Sequence, residues 1–191
     1  MSFFRRVGTF FLDVVETIVI ALAIFVIAYL FLFQPHQVRG NSMYPNFHDK
    51  DYLLTDKVSY RLGQPKRGDV VIFMAPKNEE YDYIKRVIGI PGDKVEITQD
   101  YKVKLNTQIL DESYLPSYYQ TFGGSFLEVG KVVTVPPDEY FVLGDNRNHS
   151  SDSRDWGFVP KSNIIGKAWF RYWPLNQMGL VSSPKQESLN Q

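Results

Sequence analysis

Two side chains in this sequence have the types needed for acyl transfer. Ser42 stands in Gly40-Asn41-Ser42-Met43-Tyr44-Pro45, and Lys85 in Tyr83-Ile84-Lys85-Arg86-Val87-Ile88-Gly89-Ile90. A serine hydroxyl becomes a nucleophile when a neighbouring base takes its proton, and a neutral lysine can be that base. Gly40 permits unusual backbone angles. Pro45 fixes its own angle and biases Tyr44 towards extended geometry. The stretch therefore suits a rigid turn presenting one hydroxyl. Gly, Asn, Ser and Pro are also ordinary turn residues, so taken alone it reads as a surface turn.

Lys85 is informative through its neighbours. Residues 83–90 read as a strand, on which alternate residues share a face. Lys85 then goes with Tyr83 and Val87, and Arg86 with Ile84 and Ile88. Two adjacent cations on opposite faces put at least one among apolar neighbours. A lysine there loses hydration and its pKa falls, whereas an arginine stays charged. The plainer alternative is a lysine snorkelling at a strand edge. A third stretch, Gly144-Asp145-Asn146-Arg147-Asn148-His149-Ser150-Ser151-Asp152-Ser153-Arg154, is dense in hydrogen-bonding groups. It reads either as a solvated loop or as a shell that holds a lysine through a hydroxyl and carboxylate–arginine pairs.

Other chemistries are poorly served. The chain has no cysteine, which excludes disulfides, thiolate metal sites and a cysteine nucleophile. Its three histidines, His36, His48 and His149, form no HExxH pair, and no carboxylates cluster at metal-ligand spacing. No metal and no cofactor are expected. His48 and Asp49 follow Ser42 closely enough to raise a Ser-His-Asp arrangement, but an exposed turn is the preferred reading of His48-Asp49-Lys50-Asp51. A formal net charge of zero argues against a nucleic-acid surface.

The elements that must position these residues fall into two parts. Residues 14–33 are nearly all apolar, with Glu16 and Thr17 near the start. A helix of about twenty such residues crosses a ~30 Å hydrocarbon core and satisfies its own backbone. A cleaved signal peptide would have a shorter apolar core and a small-x-small exit. The exit here is Tyr29-Leu30-Phe31-Leu32-Phe33-Gln34-Pro35, so an uncleaved anchor is expected. Arg5 and Arg6 lie on one side and Arg39 and Lys50 on the other, so positive charge leaves the orientation open.

Beyond the anchor, short β-branched and aromatic segments recur at 51–55, 69–74, 83–90, 94–98, 102–105, 131–135, 140–143 and 167–173, with Gly/Pro turns between them. That pattern predicts an all-β barrel or sandwich. The expected organisation is a head at 1–12, an anchor at 13–33, a β-rich domain at 34–176 with an irregular excursion near 106–130, and a polar tail at 177–191. Residues 34–39 read as a tether short enough to hold Ser42 near a bilayer surface.

Taken together, the stretches resemble type I signal peptidases, the S26 family of membrane-anchored serine proteases. Gly40 to Pro45 resembles the box carrying the nucleophile, and Gly68-Asp69-Val70-Val71 a structural box. Tyr83-Ile84-Lys85-Arg86-Val87-Ile88-Gly89-Ile90-Pro91-Gly92-Asp93 resembles the box carrying the general base. Gly144-Asp145-Asn146-Arg147, with Ser150 and Asp152-Ser153-Arg154, resembles the last box, and Trp156-Gly157-Phe158-Val159-Pro160 continues the likeness. The resemblance implies a mostly β fold, with a single transmembrane helix followed by a largely β catalytic domain. It implies Ser42 as nucleophile, Lys85 as general base and Ser150 as the serine that orients the lysine. Asp145, Arg147, Asp152, Arg154 and Arg86 would form the supporting network, and Val38, Met43, Tyr83 and Ile84 the substrate pockets.

The implied reaction removes signal peptides from exported precursors after small residues. The head would be cytosolic and the domain extracytoplasmic. The membrane would be a bacterial plasma membrane, with a thylakoid membrane as the alternative. Some members carry a hydroxyl residue two positions before the nucleophile, where this chain has Gly40. Two other readings stand beside this one: an inactive, tethered β domain that binds exported chains, and a self-cleaving repressor-type protease. The second is soluble and carries a DNA-binding module, which fits poorly with an anchor.

Overall fold

The computed structural model describes residues 3–76 and 78–182. The apolar run forms one helix, α1 (Phe3–Phe31), 29 residues long. Its segment from Arg6 to Tyr29 is long and apolar enough to cross a membrane, and none of it is buried by the rest of the chain. The helix begins at Phe3, so residues 3–12 of the expected head are helical and continuous with the anchor.

Strand β1 (Phe33–Gln37) follows with only Leu32 between. This corrects the expectation of a tether at 34–39. Phe33 to Gln37 pair antiparallel with β2 (Tyr52–Asp56), from Phe33 opposite Asp56 to Gln37 opposite Tyr52. Pro35 and the polar residues around it hide the strand in the sequence. Proline is tolerated there because β1 ends the sheet, where a missing N–H costs little.

The remaining strands come in chain order, the first of them β3 (Val70–Ala75), β4 (Asn78–Gly89), β5 (Lys94–Ile97) and β6 (Val103–Leu105). Next are β7 (Gln108–Ile109), β8 (Val132–Thr134), β9 (Glu139–Leu143) and β10 (Val159–Pro160). The last two are β11 (Ile164–Trp173) and β12 (Gly179–Leu180). Two short helices interrupt the series, α2 (Ser59–Leu62) and α3 (Ser153–Trp156). The large sheet runs β1-β2-β11-β3-β4-β9-β10, with β12 added on β11. The small sheet runs β7-β6-β5-β8. The β12 pairing also corrects the tail: Leu180 lies opposite Phe170 and Gly179 opposite Arg171. Residues 183–191 of the expected tail lie outside the described residues.

The central strands explain where the functional residues sit. In β3, Val70 to Phe73 are fully buried, which suits a strand covered on both sides. β4 lies between β3 and β9, with Val71 opposite Lys85 and Val70 opposite Arg86. Leu143, the last residue of β9, lies opposite Arg86. The loop that begins at Gly144 therefore emerges beside both cations. The excursion near 106–130 has little regular structure beyond β7, yet Leu110, Thr121 and Leu127 within it are buried.

Candidate active site

Ser42 lies in the loop that joins β1 to β2. Two backbone bonds close the loop's base: Val38 donates to the Asp51 carbonyl at 2.8 Å, and Lys50 to the Val38 carbonyl at 2.9 Å. Gly40 takes a φ of +82°, which a β-carbon would strain, and its N–H donates to the Asp49 carboxylate at 2.8 Å. A hydroxyl-bearing residue at this position would resist that conformation. Asp49 is thus a brace for the turn.

Lys85 reaches this loop from β4. Its Nζ donates to Ser42 Oγ at 2.8 Å and to the Ile84 carbonyl at 3.0 Å, and it stands 5.3 Å from the centre of the Tyr83 ring. Only 4% of Lys85 is exposed. Burial lowers its pKa to about 8, with Asp152 and Asp145 pulling weakly the other way. The amine is therefore near its titration point close to neutrality, in contact with the Ser42 hydroxyl.

Ser42 and Lys85 border a cleft of about 480 Å³ between the 35–39 stretch and the 80–85 stretch of β4. Val38, Tyr83 and Ile84 line it beside the two reactive groups. Met43 does not. It is fully buried in the core with Val38, Phe47, Leu53, Val70 and Ile72, so it backs the cleft wall instead of facing a ligand. His36 and Asp82 approach across the cleft at 3.3 Å, and His36 Nδ1 meets Thr55 Oγ1 at 2.8 Å. His48 packs its ring edge-on against Tyr44.

The 144–154 loop forms a buried charged network. Arg86 donates to both Asp145 oxygens, at 2.8 and 2.7 Å, and to the Gly68 carbonyl at 2.9 Å. Burial alone would lower the Arg86 pKa, but the Asp145 hydrogen bonds more than offset this and keep it raised. Asp152 caps α3 and accepts from Arg154 Nε at 2.7 Å and Nη2 at 2.8 Å, and from the Gly144 N–H at 3.0 Å. Arg147 donates to the Gly144 carbonyl at 3.0 Å. Gly144 must be glycine, since a β-carbon there would collide with the Ser150 side chain and lie 2.5 Å from the Ser42 carbonyl oxygen. Ser150 Oγ is buried and has no hydrogen-bond partner among the described residues, so no bond joins it to Lys85.

Several contributors carry no signal in a single sequence. The Asn146 N–H donates to the Ser42 carbonyl at 3.0 Å, and its side chain to the Asn41 carbonyl at 3.0 Å. Asn46 donates to Asp145 at 2.8 Å. Glu112, Tyr114 and Thr121 of the excursion all contact Arg147. The sequence showed the density of polar groups around 144–154, but the partners lie up to a hundred residues away. Among the described residues no group of three or more His, Asp or Glu side chains is placed to hold a metal.

Comparison with known proteins bears directly on this arrangement. The family model described as "Signal peptidase, peptidase S26" matches residues 11–173. Signal peptidase I of Bacillus caldolyticus is 43% identical over 155 residues, covering 78% of this chain and 84% of that protein. Signal peptidase I of Leptolyngbya laminosa is 39% identical over 163 residues, covering 81% and 75%. A crystal structure of a signal peptidase I from Enterococcus faecalis, 33% identical, aligns with a TM-score of 0.45 over 54% of this chain and 95% of that one. The matched region takes in α1 from residue 11, the nucleophile loop, β4 and the 144–154 loop. By the family model and these sequence relatives, the chain belongs to the S26 signal peptidase family.

Proposed function

We propose that this chain is a membrane-bound signal peptidase I that uses Ser42 as nucleophile and Lys85 as general base. Its substrates are exported precursors, cut after small residues at Ala-x-Ala-like sites. The observation that carries this reading is the 2.8 Å contact between Lys85 Nζ and Ser42 Oγ at the edge of the cleft.

The chemistry follows from the contact. Once Lys85 has lost its proton, its lone pair accepts the Ser42 proton as Oγ attacks the scissile carbonyl. The resulting ammonium then protonates the departing amine. Water, deprotonated by Lys85 in turn, releases the acyl group from Ser42. The Ser42 backbone N–H is the donor assigned to receive the oxyanion, since Gly40 supplies no hydroxyl for it. One such donor can supply roughly 10²–10³ in rate. Asp145, Arg147, Asp152, Arg154 and Arg86 hold the 144–154 loop against the nucleophile loop, and Ser150 serves beside Lys85 as the resemblance implies. Val38, Tyr83 and Ile84 form the wall that admits small side chains, and Met43 supports it from the core.

α1 is the anchor, with its Arg5–Arg6 end cytosolic and the β domain on the far side. A bacterial plasma membrane is the proposed site, a thylakoid membrane the alternative. Trp169, 40% exposed, stacks on Phe33 at 5.3 Å where helix meets sheet. Tryptophan is favoured at the level of lipid headgroups. The test is a turnover assay of the full chain in detergent with a precursor bearing an Ala-x-Ala site. Cleavage after the second alanine is expected, and stoichiometric binding without cleavage would favour the inactive binding domain.

A further inference from the structure

The excursion near 106–130 is not a loose insertion. Residues 111–122 lie across the back of the charged network and meet it at three side chains. Glu112 forms two hydrogen bonds with the Arg147 guanidinium, one of them at 3.1 Å. Thr121 Oγ1 accepts from Arg147 Nη1 at 2.6 Å, and Tyr114 OH accepts from Nη2 at 3.1 Å. The Tyr114 ring also lies 4.2 Å beneath the Arg86 guanidinium, and its carbonyl accepts from Asn46 at 3.1 Å. Arg147 is 1% exposed and Glu112 18%. A guanidinium so far from water must have its charge matched, and Glu112 is the carboxylate that matches it.

The consequences run forward to the nucleophile. The Arg147 Nε bond holds the Gly144 carbonyl, Gly144 lies against the Ser42 carbonyl, and Asn146 donates to that same carbonyl. We infer that Glu112, through Arg147, is a positioning residue that fixes the distance between Ser42 and Lys85, and that the 111–122 strap is therefore part of the catalytic apparatus. The inference rests on the Ser42/Lys85 reading.

Charge gives the role a distinctive signature. The groups facing this cluster are Glu112, Tyr114, Arg86, Asp145, Arg147, Asp152, Arg154 and Lys85. Asp145 acts electrostatically on Arg147 as well as on Lys85. When Glu112 is neutralised, Arg147 turns its charge towards Asp145. Less of the Asp145 field then supports the Lys85 ammonium, and the amine loses its proton at lower pH.

The experiment compares Glu112→Gln with the wild type, with Glu96→Gln as a control that removes a half-exposed carboxylate paired to Lys104 in the small sheet. The expected results for Glu112→Gln are a native melting profile, kcat lower by roughly 10–100-fold as for a small misplacement of reacting groups, and KM within twofold. The acid limb of its pH–rate profile should also move to lower pH. Glu96→Gln should match the wild type in all of these. Thr121→Val, which removes one neutral partner of Arg147, should lower kcat several-fold and serves if Glu112→Gln does not fold. Unchanged kcat in a folded Glu112→Gln, or a rise in KM alone, would overturn the inference. So would a fall in kcat with an unmoved acid limb. Wild-type cleavage that survives Ser42→Ala would instead overturn the dyad reading itself.

Discussion

Lys85 and Arg86 are adjacent on one strand and almost equally buried, yet they sit in opposite chemical regions. Behind β4, Arg86 is clasped by both oxygens of Asp145, with Tyr114 beneath it. At the cleft, Lys85 meets a hydroxyl and a carbonyl, and among the described residues it pairs with no carboxylate. Equal burial thus produces two outcomes. The contacted carboxylate holds the Arg86 pKa above its ordinary value despite burial, and without such a contact desolvation brings the Lys85 pKa to about 8. The difference teaches that the site depends on where counter-charges stop. Asp145 and Asp152 stand far enough from Lys85 to hold the loop in place without locking the proton on the amine.

The most severe break removes the reacting hydroxyl. Ser42→Ala is expected to lower kcat by roughly 10⁴-fold or more, since triad-type nucleophiles act as a unit with their base. The domain should keep its melting temperature, because among the described residues this hydroxyl hydrogen-bonds the lysine alone. Cleavage near the wild-type rate would end the assignment of Ser42. Lys85→Arg asks whether charge alone suffices on the cleft side. It keeps the cation and removes the titration, so a loss of roughly 10³-fold is expected in the same precursor assay. Activity within tenfold of wild type would show that Lys85 serves only as a structural cation.

On the other side of the strand the expected damage is to the fold. Asp145→Asn leaves Arg86 buried without its partner, and such losses cost about 3–5 kcal/mol. Chemical denaturation should show the drop, and a value under about 1 kcal/mol would mean that the pair is dispensable.

Lys85→Met should do the reverse. The unfolded lysine holds its proton up to its ordinary pKa, and the folded one only to about 8. Unfolding therefore takes up a proton between these values, and wild-type stability rises with pH across that window. Below it, Lys85→Met should be more stable than wild type by on the order of 3 kcal/mol at most. The two proteins should converge as pH climbs above about 8, and a difference independent of pH would contradict the desolvation account.

Much of this comparison was legible in the sequence, because it is local. The alternation around Lys85 and Arg86 already put two cations on opposite faces, at least one of them among apolar neighbours. Ser42 and the 144–154 loop carried their own dense chemistry. What stayed hidden depends on distant pairing. Residues 34–39 read as a tether because Pro35 and His36 do not resemble a strand, and only the register with β2 makes a strand of 33–37. Met43 read as a pocket residue by the resemblance, yet the turn sends it into the core. Glu112 is one acidic residue among many until the chain brings Arg147 against it. The strand at 33–37 also changes what an insertion does there. One added residue would reverse its alternation against β2, so cleavage of membrane-bound precursors and of short soluble peptides should fall together.

The central claim is that Lys85 is an amine that gives up its proton near neutrality while Arg86 beside it does not. An NMR titration of the lysine Nζ resonances, with Lys85→Met to assign the signal, measures this directly. The account predicts one lysine titrating near pH 8, matched by the acid limb of the pH–rate profile. A Lys85 that titrates with the solvent-exposed lysines would contradict it.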